Sequence, residues 1–129
     1  MAILSGIPVL HCRTIEATLD FYQQLLQFVV VKKRLLDDEL HWVHLMHGNT
    51  TLMLQAMEQQ SSDTIHSPQS NISLYFFINN INDLHHFMKA KNKKVSDIKV
   101  TEYQTREFSL ADPEGNIVTV GQTIDRPQT

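Results

Sequence analysis

A chain of 129 residues, of which 42% are hydrophobic and 19% charged, is long enough to bury a sizeable core and predicts one domain. Its formal net charge of −3 gives no reason to expect a nucleic-acid partner, and its single cysteine, Cys12, excludes an internal disulfide and a cysteine-rich zinc site. It has no apolar run of about 18 residues and no signal-like start, so we expect no membrane association and a cytoplasmic location.

The first half of the chain predicts the order strand, helix, strand and hairpin. Residues 7–12 are apolar and predict a short strand that begins near a proline. Between residues 14 and 26 the apolar positions recur at helical spacing, which predicts a helix that buries one face. Residues 28–33 are rich in valine and predict a second strand. Residues 41–55 predict a hairpin around Gly48-Asn49, a two-residue connection.

The predicted register of this hairpin separates its side chains into two kinds of face. Trp42 lies opposite Gln55 and His47 opposite Thr50, and side chains alternate between the two sides of a strand. The aliphatic face carries Val43, Leu45, Leu52 and Leu54. The mixed face carries Trp42, His44, Met46, Thr51, Met53 and Gln55. We expect the aliphatic face to pack in a core and the mixed face to form a lining.

A polar stretch separates the two halves of the chain. Residues 58–70 contain several serines and a proline, which is typical of a linker. Beyond it, residues 72–78 predict an apolar strand and residues 81–92 a helix. The buried side of that helix is predicted to carry Leu84, Phe87 and Met88.

Residues 106–122, REFSLADPEGNIVTVGQ, predict a second hairpin. Asp112, Pro113 and Gly115 suit a type I turn followed by a glycine with positive φ. The apolar face of this hairpin carries Phe108, Leu110, Val118 and Val120. Its mixed face carries Glu107, Ser109, Thr119 and Gly121.

Placing Ile15 on Ile81 brings both halves into the same order of elements, which indicates an internal repeat. The last hairpin, together with PVLHCRTIEATLDFYQQLLQF, GNTTLMLQ and SLYFFINNINDLHHFMKAKN, resembles the glyoxalase / bleomycin-resistance protein / extradiol-dioxygenase superfamily, also called vicinal oxygen chelate proteins. The resemblance implies an α+β fold in which two βαβββ modules form a curved, open mixed sheet around a cleft. The modules would span about residues 5–57 and 71–123 of a single domain, residues 1–129.

Metal-dependent members of this superfamily hold their ion with His, Gln or Glu at four positions, one in the first and one in the last strand of each module. The resemblance places these positions at Ile7, Thr51, Ser73 and Thr119. An aliphatic side chain and three neutral hydroxyls are poor ligands for ions that prefer imidazole and carboxylate. We therefore expect no metal and no other cofactor, and a metal-dependent glyoxalase or dioxygenase is a less favoured alternative.

The seven histidines could form a rival metal site. His41, His44 and His47 are three residues apart, a spacing that scatters side chains over both faces of a strand. His85 and His86 are expected on the exposed part of the second helix. The preferred interpretation is that these histidines are solvated.

The mixed faces of the two modules would together line the implied cleft. The candidate ligand-binding residues are His11, Trp42, His44, Met53, Ser73, Tyr75, Phe77, Glu107, Ser109 and Thr119. Aromatic and sulfur-bearing walls with a few polar groups are the usual make-up of a small-molecule pocket. The alternative is that these side chains pack together as a second core, although buried polar groups would then need partners.

Two classes of function remain. The first is a metal-free binder similar to bleomycin-resistance proteins, which would sequester an antibiotic or a metabolite as a homodimer. The second is a metal-independent isomerase or lyase that uses His11 or His44 with Glu107 for acid–base chemistry. The binder is preferred, and the identity of its ligand is left open.

Overall fold

The computed structural model describes residues 1–57 and 72–124. The chain divides into two compact units, unit 1 (Met1–Ser67) and unit 2 (Pro68–Thr129). In unit 1 the elements are β1 (Val9–Cys12), α1 (Ile15–Leu26), β2 (Val29–Leu36), β3 (Glu39–His47) and β4 (Thr50–Ala56). In unit 2 they are β5 (Ser73–Phe77), α2 (Ile81–Ala90), β6 (Lys99–Val100), β7 (Thr105–Ala111) and β8 (Ile117–Thr123). The predicted order of elements is confirmed in both units, and the predicted linker, residues 58–70, lies outside the described residues.

Each unit contains a four-stranded mixed sheet. The strand order is β1-β4-β3-β2 in unit 1 and β5-β8-β7-β6 in unit 2. The first strand of each unit pairs in parallel with the last, and the other pairs are antiparallel. Val9 pairs with Met53 and Tyr75 pairs with Thr119, so both partners are displaced by the same offset that places Ile15 on Ile81. The internal repeat therefore extends to the register of the strands.

The hairpin of β3 and β4 has the register predicted from its two-residue turn. All the expected pairs, from Trp42 with Gln55 to His47 with Thr50, are formed. Gly48 in the turn has a φ of 58°, a conformation that favours glycine. The four residues of the aliphatic face are 0–1% exposed, and α1 packs against the same strands. The predicted division into a core face and a mixed face is thus confirmed in unit 1.

The turn between β7 and β8 is built around a buried carboxylate. Gly115 has a φ of 90°, as its place in the turn predicted. Asp112 is 4% exposed, and its Oδ1 accepts hydrogen bonds at 2.9 Å from the backbone N–H groups of Glu114 and Asn116. The observed register of β7 and β8 is the one that this turn predicted. The four residues of the apolar face are 0–6% exposed, so they belong to the core of unit 2.

Helix α2 differs from its prediction in its end and in the face that it buries. It ends at Ala90 rather than at residue 92. Ile81 and Met88, seven residues apart, are fully buried. Phe87 was expected in the core, but it is 37% exposed and the Lys91 ammonium lies 5.5 Å from its ring centroid. The helix is turned so that Phe87 falls at the edge of the buried stripe.

His85, rather than Phe87, lies against the core on the buried face of α2. Its ring meets Phe108 edge to face with centroids 4.8 Å apart, and its Nε2–H donates to the Ser96 carbonyl at 2.9 Å. The expectation of a solvated side chain is wrong for His85, because one edge of the ring is held against the core. His86 is exposed, as expected. Neither helix in the described parts of the chain is long and apolar enough to cross a membrane.

Candidate functional site

The mixed faces carry every residue proposed from sequence to bind a ligand, and each unit presents one such face. In unit 2 the face is built by β5, β8 and β7, which lie side by side. The pairing places Tyr75 beside Thr119 and Ser109 on the other side of Thr119. The candidates of unit 2, namely Ser73, Tyr75, Phe77, Glu107, Ser109 and Thr119, therefore share one surface, because directly paired residues point to the same side of a sheet.

A tyrosine–glutamate pair crosses the centre of this face. The Tyr75 hydroxyl donates to Glu107 Oε2 at 2.8 Å. To reach it, the phenol passes directly over Gly121, where an added Cβ would lie 2.7 Å from Tyr75 Cζ and even closer to the phenolic oxygen. Because Gly121 has no side chain, the phenol can cross β8 at this point. The φ of Gly121 is not in the left-handed region, so its backbone conformation does not require a glycine. The close approach of the Tyr75 ring does.

Burial raises the pKa of Tyr75, and the hydrogen bond to Glu107 and the negative charge of that carboxylate raise it further. A hydrogen bond involving Thr105 acts in the opposite direction. The Thr105 hydroxyl is 3.5 Å from Glu107 Oε2 and 2.6 Å from the Thr101 hydroxyl. The phenol is consequently kept as a proton donor, and it orients a carboxylate that can accept further hydrogen bonds from a ligand.

An aromatic pair and a hydroxyl pair complete the face of unit 2. The rings of Tyr75 and Phe77 have centroids 5.0 Å apart, and the two side chains are 42% and 71% exposed. The hydroxyls of Ser109 and Thr119 lie 2.6 Å apart and are half-buried. A flat apolar group could therefore cover the rings while its polar edge meets the carboxylate and the hydroxyls.

The mixed face of unit 1 holds the remaining candidates. β1, β4 and β3 place His11 opposite Gln55, Met53 opposite His44, and Trp42 one pair further along. His11 is exposed, whereas Trp42, His44 and Met53 are half-buried. The Trp42 and His44 rings are 6.3 Å apart and tilted by 41°. The four candidates of unit 1 thus share one surface, as predicted.

Two basic residues of this face were missed from the sequence. Lys32 pairs with His44 and Arg34 pairs with Trp42, so both lie on the mixed face of unit 1. The Arg34 guanidinium carbon is 5.7 Å from the centroid of the Trp42 ring. The sequence shows three consecutive basic residues, Lys32-Lys33-Arg34, which alternate between the two faces of the strand. A register shift between Val30 and Lys32 decides which of these residues share the face, and the sequence alone did not signal that irregularity.

The three histidines of β3 have separate roles. His47 Nδ1–H donates to the Leu26 carbonyl at 2.9 Å, and the Gln55 amide donates to His41 Nε2 at 3.2 Å. His44 differs, because its Nε2 is buried and has no hydrogen-bond partner within the parts of the chain that the structure describes. These contacts are consistent with the prediction that His41, His44 and His47 lie on both faces of the strand. Of the three histidines of β3, His44 is therefore the one with a buried ring nitrogen that no group in the described residues satisfies.

The positions that hold a metal in metal-dependent relatives do not carry a fitting donor set. The Thr119 hydroxyl is in contact with the Ser109 hydroxyl. Thr119 pairs with Tyr75 as Met53 pairs with Val9, so the residue of unit 1 that corresponds to Thr119 is Met53 and not the expected Thr51. Neither a thioether nor a neutral hydroxyl offsets the loss of water from a divalent ion. Within residues 1–57 and 72–124, no three His, Cys, Asp or Glu side chains come together as a metal site.

The three candidates for acid–base chemistry are distributed over both units. His11 and His44 lie on one face of unit 1, but β4 separates their strands. Glu107 belongs to unit 2, where its partner is Tyr75. The Tyr75–Glu107 pair was not predicted, although the sequence contained one usable signal: Gly121 interrupts a strand otherwise made of β-branched and polar residues.

Comparison with known proteins agrees with this architecture. The sequence profile of the Glyoxalase/Bleomycin resistance protein/Dioxygenase superfamily matches residues 8–120. No curated protein sequence matches the chain.

Several solved structures are similar over nearly the whole chain. TioX from Micromonospora sp. ML1 has a TM-score of 0.77 at 10% identity, with 93% of this chain and 99% of that chain covered. A glyoxalase-related enzyme from Clostridium phytofermentans has a TM-score of 0.74 at 15% identity, with 96% and 98% covered. TnmS3, an antibiotic binding protein from Streptomyces sp. CB03234, has a TM-score of 0.70 at 18% identity, with 95% and 98% covered. At these identities the likeness shows the fold alone.

Proposed function

The chain belongs to the Glyoxalase/Bleomycin resistance protein/Dioxygenase superfamily, and we propose that within it the protein is a metal-free binder that sequesters an antibiotic or a metabolite. One observation carries this proposal. The mixed face of unit 2 presents two exposed aromatic rings, Tyr75 and Phe77, beside a carboxylate that Tyr75 orients. This arrangement suits a planar ligand with a hydrogen-bond donor at its edge.

The exposure of the aromatic pair argues for a ligand rather than for packing. Phe77 is 71% exposed although it belongs to the same strand as Tyr75 and pairs with Gly121 on β8. A large apolar ring in water contributes little to stability, whereas covering it with a ligand recovers about 25 cal/mol per Å² of apolar surface. Stacking geometry adds about 0.5–1.5 kcal/mol for each aromatic contact. Among the similar structures, the antibiotic binding protein TnmS3 supports the choice of ligand class.

The absence of a fitting donor set supports a role without a metal. With Met53 as the counterpart of Thr119, these positions carry an aliphatic side chain, a thioether and two hydroxyls in place of imidazole and carboxylate, from Ile7, Met53, Ser73 and Thr119. Elemental analysis of protein purified without chelators should find no stoichiometric first-row metal. A stoichiometric metal that resists dialysis would contradict this part of the proposal.

A homodimer in the cytoplasm completes the proposal. The whole of β2 is exposed and lies at the edge of its sheet, with Val29 60% and Leu36 58% exposed. The valines at the start of β2 and the leucines at its end are apolar surface that proteins usually cover, whereas its central residues are basic. Light scattering coupled to gel filtration should give twice the mass of the chain, and a monomer at micromolar concentration would contradict the dimer.

The test begins with a thermal-shift screen of planar antibiotics and small aromatic metabolites. For a compound that raises the melting temperature, Tyr75→Ala should weaken the dissociation constant by about tenfold or more because the stacking surface and the hydroxyl are lost. Trp42→Ala tests the mixed face of unit 1 separately, and it should weaken by a similar factor any ligand that stacks on that face. Phe87→Ala is the matched control, since it removes an exposed ring from α2, which packs on the other face of the sheet. Equal effects of Tyr75→Ala and Phe87→Ala would contradict the proposed site.

A metal-independent isomerase or lyase is the second candidate, and the observation that favours it is that His44 Nε2 has no hydrogen-bond partner among the described residues. A buried polar atom without a partner is uncommon in a structural role and is a feature of catalytic groups. If turnover of a bound compound is found, His44→Ala should abolish it while His47→Ala should not, because His47 is held by the Leu26 carbonyl. Full turnover in His11→Ala, His44→Ala and Glu107→Ala would remove all three candidates.

A further inference from the structure

Four side chains on the mixed face of unit 1 form a cationic strip, defined by Lys32, Arg34, Trp42 and His44. Lys32 and His44 are directly paired across β2 and β3, and so are Arg34 and Trp42. The two pairs follow one another along the same strands and point to the same side of the sheet. The strip therefore combines two permanent cations, an imidazole and an indole within neighbouring positions.

The cations of the strip are not neutralised within the described part of the chain. Neither Lys32 nor Arg34 takes part there in an ion pair, and the contact of Arg34 is with the Trp42 ring. A guanidinium that lies over an indole is held by the ring, which leaves the N–H groups at its edge able to donate to a carboxylate. The acidic residues of the β2–β3 turn, Asp37 and Asp38, lie beyond Leu35 and Leu36 along the strand.

His44 supplies the third element of the strip. Its Nε2 is buried and has no hydrogen-bond partner in residues 1–57 and 72–124. A buried donor or acceptor without a partner is unfavourable unless a ligand or water satisfies it. His44 pairs with Lys32 on β2 and with Met53 on β4, so its imidazole lies between these two side chains on the mixed face.

We propose that the cationic strip binds the anionic group of a planar aromatic acid, with Arg34 and Lys32 facing the carboxylate, His44 Nε2 donating to it and Trp42 covering the ring. The inference rests on the proposed small-molecule binding and adds a class of ligand for the mixed face of unit 1. The formal charge of −3 for the whole chain does not oppose it, since a ligand at the face responds to the charges within about 10 Å. Carboxylate pairs with arginine are often bidentate, which adds orientation to attraction.

The chain contains a matched control for the charge of the strip. Lys33 lies between the two basic residues of the strip but pairs with Val43, so it points to the opposite side of the sheet. Lys33→Gln, Lys32→Gln and Arg34→Gln each remove one positive charge from the same exposed strand. Only the last two remove it from the mixed face.

The experiment uses naphthoate and naphthamide, which share a ring system and differ in charge, and measures their dissociation constants by isothermal titration calorimetry. We expect naphthoate to bind at least about fivefold more tightly than naphthamide at low salt, as one charge-assisted hydrogen bond would give. Arg34→Gln and Lys32→Gln should each reduce this preference severalfold, whereas Lys33→Gln should leave it unchanged. The preference should also shrink in about 1 M salt, where the screening length is about 3 Å.

Three results would overturn the inference. Equal affinity for naphthoate and naphthamide would show that the face does not select an anion. An equal effect of Lys33→Gln and Arg34→Gln would reduce the attraction to overall charge. Binding of neither probe would exclude aromatic acids of this size as the ligand class. In each case the wider proposal of a small-molecule binder is judged separately, by the screen and the Tyr75→Ala variant.

Discussion

Gly121→Ala tests the geometry of unit 2 with a single methyl group. The added Cβ would lie 2.7 Å from Tyr75 Cζ and 3.1 Å from Tyr75 Cε1, and the phenolic oxygen would be closer still. The ring has to swing away, and its 2.8 Å hydrogen bond to Glu107 is then lost. Overpacking of this kind typically costs about 1–3 kcal/mol. The lost hydrogen bond adds about 0.5 kcal/mol, because the pair is partly exposed. We expect the free energy of unfolding to fall by about 2 kcal/mol.

The same substitution should have the opposite sign when Tyr75 is already alanine. The three heavy atoms nearest to the added Cβ all belong to Tyr75, and Gly121 does not have a left-handed φ. In the Tyr75→Ala background the methyl group therefore meets no comparable obstacle. Replacing glycine by alanine then restricts the unfolded chain and is expected to stabilise the protein by about 0.4–1 kcal/mol.

The two effects are separated by a double-mutant cycle. Urea unfolding of the wild type, both single variants and the double variant, followed by far-UV circular dichroism, gives the coupling free energy between positions 75 and 121. We expect a coupling of about 2–3 kcal/mol, large for a pair on a half-exposed surface. An equal loss of stability from Gly121→Ala in both backgrounds would refute the placement of the phenol over Gly121.

The remaining predictions concern the same face and the helix behind it. Glu107→Gln should lower the pKa of Tyr75 toward its ordinary value, since the carboxylate's hydrogen bond and charge both raise it, while the contribution of burial remains. In the wild type the raised pKa favours the folded state at pH values below the ordinary tyrosine pKa, and this contribution is lost as the pH rises through the folded-state pKa. An alkaline titration of tyrosinate absorbance, with Tyr75→Phe identifying the transition, would contradict the reasoning if Glu107→Gln left it in place. On α2, Met88→Ala should lower the free energy of unfolding by about 3 kcal/mol and Phe87→Ala by less than half of that, because Met88 is fully buried and Phe87 is 37% exposed. Equal losses in urea unfolding would show that Phe87 belongs to the core.

The registers of the two hairpins could be predicted from the residues of their turns. Gly48 allows the two-residue turn of the first hairpin, and Asp112 and Gly115 build the turn of the second. Once a turn fixes which residues are opposite, the alternation of side chains assigns each one to a face without any distant information. The aliphatic faces, the mixed faces and every candidate residue on them were therefore accessible from the sequence. The parallel pairing of Val9 with Met53 and of Tyr75 with Thr119 obeys the repeat offset, but the sequence did not predict it.

The rotation of α2 illustrates what local periodicity leaves open. Leu84, Phe87 and Met88 are compatible with one helical face, but so are Ile81, His85 and Met88. Contact of His85 with Phe108 and Ser96 selects the second face, and both partners are more than ten residues away in the chain. Propensity and spacing alone therefore could not place Phe87.

The sequence by itself determined the order of elements, the register of both hairpins and the residue content of each face, because turns and strand alternation act between near neighbours. Only the tertiary structure decided that Tyr75 reaches Glu107 across Gly121, and that an irregularity in β2 brings Lys32 and Arg34 onto the face of His44 and Trp42. The first arrangement depends on β5 and β8, which pair although they are far apart in the sequence. The second depends on β2, an edge strand that pairs only with β3. Their outcome is set by packing between distant parts of the chain, and no local pattern encodes it.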